Sequence, residues 1–267
     1  MKNKILTGLL LVLIGGWGSL SAQSAGSNYA RQVNTLIGTK GVGLTSGYLY
    51  PGATYPYGMV QFTPSYFSKR SGFVINQLSG GGCEHMGNFP TFPVKGKLKM
   101  SPDNILNYRI NISEEKGHAG YYEAKVQEDI HAKLTVTERT GMASYEYPAD
   151  QQYGTVIIGG GISATPIEQA AIVITAPNKC EGYAEGGNFC GLRTPYKVYF
   201  VAEFDTDALE SGTWKRNELK PNTTFAEGEY SGVYFTFDVN KKKNIQYKIG
   251  VSYVSVENLS LIHISEP

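Results

Sequence analysis

The chain has 267 residues, of which 24 are Lys or Arg and 23 are Asp or Glu, so its formal net charge at pH 7 is +1. Because this balance gives neither a basic nor an acidic field, charge suggests neither nucleic acid nor an anionic membrane surface as a partner. The 19 tyrosines are typical of β-strands, and they also occur on sugar-facing surfaces.

The N-terminus has the order of a secretory signal peptide. Lys2 and Lys4 precede an apolar run over residues 5–14, and small residues follow as far as Ala22. The run is too short for a spanning helix, so the sequence predicts cleavage after Ala22, export to the periplasm or cell surface, and no membrane span. A mature chain of roughly 235 residues is long enough to bury one good core as a single domain.

Residues 28–36 are the first candidate for a short helix or an entry strand, and the glycines of residues 37–47 predict a loop. This loop is not a phosphate-binding loop, because Lys40 is followed by Gly41 and then by a segment that cannot be helical. The prolines of residues 50–64 predict an extended segment, with a strand over residues 60–62.

Residues 76–94 are the stretch richest in unusual residue types. Three consecutive glycines, residues 80–82, allow positive φ angles and let another surface approach the backbone closely. Glu84, His85 and Asn88 add a carboxylate, an imidazole and an amide, which form a plausible polar rim for a hydroxyl-rich ligand. A buried crossover loop is the alternative interpretation.

Alternation of apolar and polar residues predicts half-buried strands in the rest of the chain. The alternating segments are residues 130–136, 198–204, 233–239 and 247–253. The three lysines within residues 240–244 indicate a solvated hairpin tip, and residues 166–171 are the best candidate for a short helix. The pattern favours an all-β fold, a large antiparallel β-sandwich.

Three cysteines are an odd number for an exported protein. Cys180 and Cys190 enclose a predicted glycine-rich loop, EGYAEGGNF, and are candidates for a disulfide, which would leave Cys83 free or buried.

No local sequence pattern identifies a catalytic group. The adjacent pair Glu114 and Glu115 would point to opposite faces of a strand, and acidic residues at 205 and 207 indicate a turn. The histidines at positions 85, 118 and 131 are isolated and lack zinc spacing, and no nucleophile elbow occurs.

Three motifs follow one another in order: VNTLIGT ending at Thr39, YPGATYPYGMVQ over residues 50–61, and SGGGCEHMGN over residues 79–88. Together with GYAEGGNFCG at residues 182–191 and the strand that follows, they resemble the N-terminal domain of glycoside hydrolase family 92. This family comprises calcium-dependent exo-acting α-mannosidases best known from Bacteroidetes.

The resemblance implies a two-domain enzyme in which this β-sandwich packs on a C-terminal (α/α)6 helical domain. It implies inverting hydrolysis of terminal α-mannosides, with mannose-containing glycans as substrates. The catalytic acid, the base and the Ca²⁺ ligands would all belong to the helical domain, so no catalytic or metal-binding residue is expected in this chain.

The resemblance also implies a set of substrate-binding residues on the wall of the cleft. They are Tyr55, Gly81, Gly82, Cys83, Glu84, His85 and Asn88. Many members have Thr-His before the Ser-Gly and an Asp after the last glycine of the loop, where this chain has Asn76-Gln77-Leu78 and Asn88. A neutral amide changes the hydrogen bonds offered to the leaving group, so the linkage preference stays open.

The predicted organisation is a signal peptide at 1–22, the sandwich domain at 23–258, and an adapter-derived tail at 259–267. The last nine residues resemble the translation of a sequencing adapter, so the sequence predicts a truncated enzyme that is inactive alone. The side of the sandwich that would face the helical domain is then expected to be exposed. Residues Tyr50, Tyr55, Tyr57, Phe89 and Phe92 are the candidates for that apolar side. The alternatives are a stand-alone carbohydrate-binding sandwich and, more weakly, a mutarotase-like sandwich.

Overall fold

The structure is a computed structural model that describes residues 29–39, 49–65, 72–102 and 111–259. The predicted signal peptide lies outside these residues, as does the C-terminal segment after Leu259. The fold opens with a 3₁₀ helix, Tyr29–Gln32, at the position where a short helix or strand was predicted.

The first sheet has eight strands, all paired antiparallel. Its strands are β1 (Ala53–Thr54), β2 (Gln61–Pro64), β3 (Phe73–Val74), β4 (Thr91–Lys95), β9 (Tyr153–Gly159), β13 (Glu210–Lys215), β14 (Glu218–Pro221) and β16 (Ser231–Asp238). The spatial order is β1-β2-β3-β4-β9-β16-β13-β14, so β9 and β16 are central strands. Both are buried along nearly their whole length, in accord with that position.

The second sheet has nine strands in the order β15-β10-β11-β12-β17-β8-β7-β6-β5. They are β5 (Ile112–His118), β6 (Tyr121–Val126), β7 (Ile130–Val136), β8 (Thr140–Glu146), β10 (Ile167–Ala176), β11 (Lys179–Phe189), β12 (Leu192–Phe204), β15 (Phe225–Glu227) and β17 (Asn244–Ser252). Strand β7 alternates strictly between buried and exposed residues, as the sequence predicts. The prediction of an all-β antiparallel sandwich is confirmed.

The core lies between the two sheets and is rich in aromatic residues. The largest side chains with almost no exposure include Trp214, Tyr145, Tyr247, Phe62 and Phe235. The hydroxyls of Tyr145 and Tyr247 find their hydrogen-bond partners inside this core. Tyr247 donates to the Thr91 hydroxyl at 2.5 Å and lies 3.2 Å from the hydroxyl of Tyr145, so the two sheets are joined by a buried polar network.

Three local predictions are wrong. Residues 166–171 do not form a helix, because Ile167–Ala176 is a strand between β11 and β15, where its β-branched residues pack well. Residues 181–189 do not form a loop, because they belong to strand β11, Lys179–Phe189. The lysine-rich segment after Asp238 is solvated, yet it connects β16 of one sheet to β17 of the other and is not a hairpin tip.

Within the described residues no helix has the length and apolar character needed to cross a membrane.

Candidate functional site

The loop between β3 and β4, residues 76–90, combines an exposed tip with a buried base. Leu78, Ser79, Gly80 and Gly82 are exposed, whereas the residues from Gly87 to Pro90 are buried. Gly80, Gly82 and Gly87 have φ angles of 74°, 74° and 72°, a conformation in which a side chain is disfavoured. The buried half agrees with the alternative interpretation as a buried crossover loop, and the exposed half leaves the glycine backbone accessible.

A pair of asparagines pins the base of the loop. The Asn76 side-chain amide donates to Oδ1 of Asn88 at 3.0 Å, and the Asn88 backbone N–H donates to Oδ1 of Asn76 at 2.7 Å. Tyr196 on β12 also donates its hydroxyl to Oδ1 of Asn88, at 3.0 Å. Because Asn88 has no exposed surface, it serves as the internal anchor of the loop rather than as part of its outer rim.

Two tyrosines stand beside this anchor as neutral hydrogen-bonding groups. Burial raises the pKa of the Tyr196 hydroxyl, and the hydrogen bond to Asn88 opposes that shift. Burial also raises the pKa of the Tyr253 hydroxyl, whose hydrogen bond with Asn76 opposes the shift in the same way. Both hydroxyls stay protonated at neutral pH, so no tyrosinate charge arises next to the two asparagines.

The disulfide differs from the predicted one: Cys83 pairs with Cys190, and their Cα atoms are 5.5 Å apart. Cys180 is a free, fully buried thiol of β11 whose pKa is raised by burial. The predicted pair Cys180 and Cys190 fails because the two residues stand at opposite ends of one extended strand, about 30 Å apart at ~3.3 Å per residue. A disulfide needs Cα atoms within about 7 Å. Recognising 180–190 as a strand would have excluded that pairing from the sequence.

The disulfide ties the glycine loop to the turn between β11 and β12. Phe189 pairs with Leu192 across this turn, which leaves Cys190 and Gly191 as its two central residues. Their φ angles are 52° and 82°, as in the type I′ turns that favour Asn-Gly. The covalent tether therefore starts from a cysteine in a backbone conformation that is uncommon for that residue.

His85 lies next to this tether. Its Nδ1 is 2.8 Å from the carbonyl oxygen of Cys83, and its ring meets the Phe189 ring edge to face at 4.8 Å between centroids. A Cβ atom on Gly81 would lie 2.6 Å from Cε1 of the imidazole, so the glycine backbone covers the ring. The His85 side chain is 2% exposed as a result.

Several buried polar atoms of the loop have no hydrogen-bond partner among the described residues. They are both amide atoms of Gln77, Nε2 of His85 and Nδ2 of Asn88. Leaving a buried polar group unpaired costs about 1–3 kcal/mol, so such a group in a folded protein calls for a partner, either water or another molecule. The loop therefore holds unused hydrogen-bonding capacity.

The remaining predicted site residues are more accessible. Tyr55 is 49% exposed and Tyr57 is fully exposed, in a turn closed by the Gly58 N–H donating to the Tyr55 carbonyl at 3.0 Å. Glu84 is partly exposed and forms no ion pair with a described residue. The predicted apolar side is only partly correct, because Tyr50, Phe89 and Phe92 belong to the buried core.

The acidic residues that were weighed as catalytic groups have structural roles. Glu114 forms an ion pair with Lys125 at 2.7 Å, and Glu115 accepts a hydrogen bond from Tyr122 at 2.9 Å. Asp205 accepts the Gln246 backbone N–H and pairs with Lys242 at 2.8 Å. These contacts agree with the interpretation of Asp205 as a turn residue, and they give each glutamate a partner on a neighbouring strand.

Within the described ranges, no group of three His, Cys, Asp or Glu side chains is arranged to hold a metal ion.

Two antiparallel sheets enclosing one core define a β-sandwich domain. The sequence profile of the glycosyl hydrolase family 92 N-terminal domain matches residues 32–252. The chain therefore belongs to glycosyl hydrolase family 92, and it corresponds to the N-terminal domain of that family.

Relatives of known structure have the same fold. The family 92 glycosyl hydrolase ccman5 is 23% identical with a TM-score of 0.75, over 88% of this chain and 34% of its own. The family 92 α-mannosidase BT3965 from Bacteroides thetaiotaomicron is 24% identical with a TM-score of 0.73, over 85% of this chain and 34% of its own. The inverting mannosidase BT2199 from the same organism is 21% identical with a TM-score of 0.70, over 87% and 32%.

One curated relative is also a glycosidase. An uncharacterized secreted glycosidase of Arthroderma benhamiae is 32% identical over an alignment of 138 residues, and the match covers 44% of this chain and 17% of the relative. The chain thus spans about a third of the length of the solved structures and a sixth of the curated relative.

Proposed function

We propose that this chain forms one wall of the substrate cleft of an α-mannosidase. The observation that carries the proposal is the anchored loop at residues 76–90, in a domain of a glycosyl hydrolase family. An exposed glycine tip on a fixed base can approach a sugar closely, and amide, imidazole and carboxylate groups along it can hydrogen-bond hydroxyl groups.

Aromatic side chains in the turn at residues 55–58 suit the same role. Tyr55 and Tyr57 present exposed rings, which can pack against the apolar face of a sugar while their hydroxyls stay hydrated. Gly81, Gly82 and Glu84 are the parts of the loop that a ligand meets first, whereas His85 and Asn88 lie beneath them.

In this proposal the chemistry belongs to a C-terminal helical domain of a longer protein. That domain would supply the acid that protonates the leaving oxygen, the base that activates water for inversion, and the ligands of Ca²⁺. The support is that this chain matches only 34% of the length of each of these two solved relatives. This chain alone would therefore not hydrolyse mannosides, and its exposed turn at Tyr55 and Tyr57 would meet the helical domain or the glycan.

The departures from the family pattern act mainly through loop position. Asn88 uses its Oδ1 atom to accept two hydrogen bonds, which a carboxylate at the same place could also accept. Gln77 is buried with its amide unpaired. We propose that the amides of Asn88 and Gln77 set the position of residues 80–82 relative to the substrate. This position would determine which α-mannosidic linkage the enzyme accepts.

Export also belongs to the proposal. The signal peptide predicted at 1–22 would direct the protein to the periplasm or the cell surface, in keeping with the secreted relative.

The test is hydrolysis of α-linked mannobioses by the protein encoded by the complete gene, with and without a calcium chelator. Mannose release that the chelator abolishes, together with no release by the 267-residue chain, would support the proposal. A complete protein that leaves every linkage intact would contradict it.

A stand-alone carbohydrate-binding sandwich is the second candidate function. It is favoured by the closed core, since both sheets bury their facing sides without a further domain. Calorimetric titration of the purified chain with mannose-containing glycans distinguishes the two. Binding that persists in the isolated chain, from a gene that encodes no further domain, would favour this second function.

A further inference from the structure

The two contacts that orient His85 both depend on the disulfide. One is the hydrogen bond from the imidazole to the carbonyl oxygen of Cys83, which is itself a disulfide residue. The other is the edge-to-face contact with Phe189, which directly precedes Cys190. The imidazole therefore spans the same two chain segments that the disulfide joins.

The hydrogen bond fixes the tautomer of the ring. A carbonyl oxygen only accepts, so Nδ1 must carry the hydrogen, and in the neutral ring Nε2 then carries a lone pair. Nε2 is buried and has no partner among the described residues. It is therefore held as an acceptor, which suits a hydroxyl donor.

The backbone at Cys190 supports a purpose for the disulfide beyond the turn. A φ of 52° disfavours any residue with a side chain by about 1–2 kcal/mol, and Asn or Gly is preferred at such a position. Gly191 follows at φ 82° as in an ordinary Asn-Gly turn. Cysteine at this position therefore costs turn stability, which the tether to the glycine loop offsets.

We propose that the Cys83–Cys190 disulfide is a positioning element for His85, which it holds as the Nδ1–H tautomer with Nε2 available to accept a hydrogen bond from a hydroxyl-bearing ligand. Gly81 covers the ring at contact distance, so the ligand reaches Nε2 when the segment 80–82 shifts. A Cβ atom on Gly82 would contact nothing within 4 Å, so this part of the segment is not packed against another side chain.

The experiment is ¹⁵N NMR of the imidazoles in the oxidised 267-residue chain, measured at pH 8.5, above the ordinary imidazole pKa of about 6.5. The chain has four histidines, and His85→Gln assigns the signal. The Cys190→Asn variant keeps a residue suited to the turn and severs the tether. Cys180→Ala is the matched control, because it removes a cysteine without touching the disulfide.

The wild type and Cys180→Ala should show His85 with a protonated Nδ1 and a bare Nε2. Cys190→Asn should show an exchange-averaged mixture of the two tautomers. Reduction of the wild type with dithiothreitol, which converts the disulfide to two thiols as the reagent forms its own cyclic disulfide, should give the same mixture and covers the case in which the variant does not fold. A protonated Nε2 in the oxidised wild type, or an unchanged Nδ1–H tautomer without the disulfide, would overturn the proposal.

The class of ligand rests on the proposed function and is tested separately by titrating the oxidised chain with methyl α-mannoside. A change confined to the Nε2 shift, absent from Cys190→Asn, supports a sugar hydroxyl as the donor. If the tautomer behaves as expected but the mannoside leaves Nε2 unchanged, the assignment of this face to a mannose cleft fails while the positioning of His85 stands.

Discussion

Loss of the Cys83–Cys190 disulfide should lower the free energy of unfolding by several kcal/mol. The bridge spans 107 residues, and closing a loop of that length removes unfolded-state entropy equivalent to about 4.8 kcal/mol at 25 °C in the chain-entropy model. Measured values fall below this limit, typically about 2–4 kcal/mol. Against a total stability of about 5–15 kcal/mol, the disulfide is a major contribution.

The assay is guanidinium denaturation with and without reductant, comparing wild type, Cys190→Asn and Cys180→Ala. The wild type and Cys180→Ala should each lose about 2–4 kcal/mol on reduction, whereas Cys190→Asn should be insensitive to the reductant. After trypsin cleavage without reduction, the disulfide should link peptide 71–95, which holds Cys83, to peptide 180–193, which holds both other cysteines. The same link in Cys180→Ala assigns the partner of Cys83 as Cys190. Two unlinked peptides, or a Cys180→Ala variant that ignores reductant, would refute the reasoning.

Three further predictions concern the loop and strand β6 of the second sheet. Gly81→Ala would place its Cβ 2.6 Å from the His85 ring, so it should change the His85 NMR signals and cost about 1–3 kcal/mol by overpacking; unchanged signals would contradict the contact. Asn88→Ala should lose about 1–3 kcal/mol in urea denaturation because it removes an acceptor of two hydrogen bonds, whereas Asn88→Asp should lose less; equal losses would argue against the anchor. Burial, followed by the hydrogen bond to Glu123, raises the pKa of Tyr121 to about 12. Since this pKa is raised in the folded state, its stabilising effect is present below pH 10 and is lost between pH 10 and about pH 12, so the stability difference between wild type and Tyr121→Phe should shrink over that range; a constant difference would contradict it.

Periodicity was enough to predict the sandwich because most strands bury one face only. Residues 130–136 match β7 in full, and the residues predicted at 198–204 end with β12 at Phe204. Alternation does not show which sheet a strand joins. The lysine-rich segment after β16 was therefore mistaken for a hairpin tip, although the next strand joins the opposite sheet.

The sequence predicted which stretch of the chain holds the candidate site, but not how its side chains are arranged in space. The glycines and polar residues of the loop are visible in the sequence, whereas the burial of His85 and Asn88 depends on Tyr196, Phe189 and Cys190, more than 100 residues later. Such long-range partners leave no local pattern. The disulfide was assigned to Cys180 and Cys190 for the same reason, because cysteines close in sequence were assumed to be close in space.

The most direct test of the central claim is the ability of this domain to complete an active mannosidase. The protein encoded by the complete gene should release mannose from at least one α-linked mannobiose, and a wild-type domain replaced by its Gly81→Ala form should change KM or the ranking of linkages. An active enzyme whose KM and linkage ranking ignore that substitution would contradict a role for this loop at the substrate.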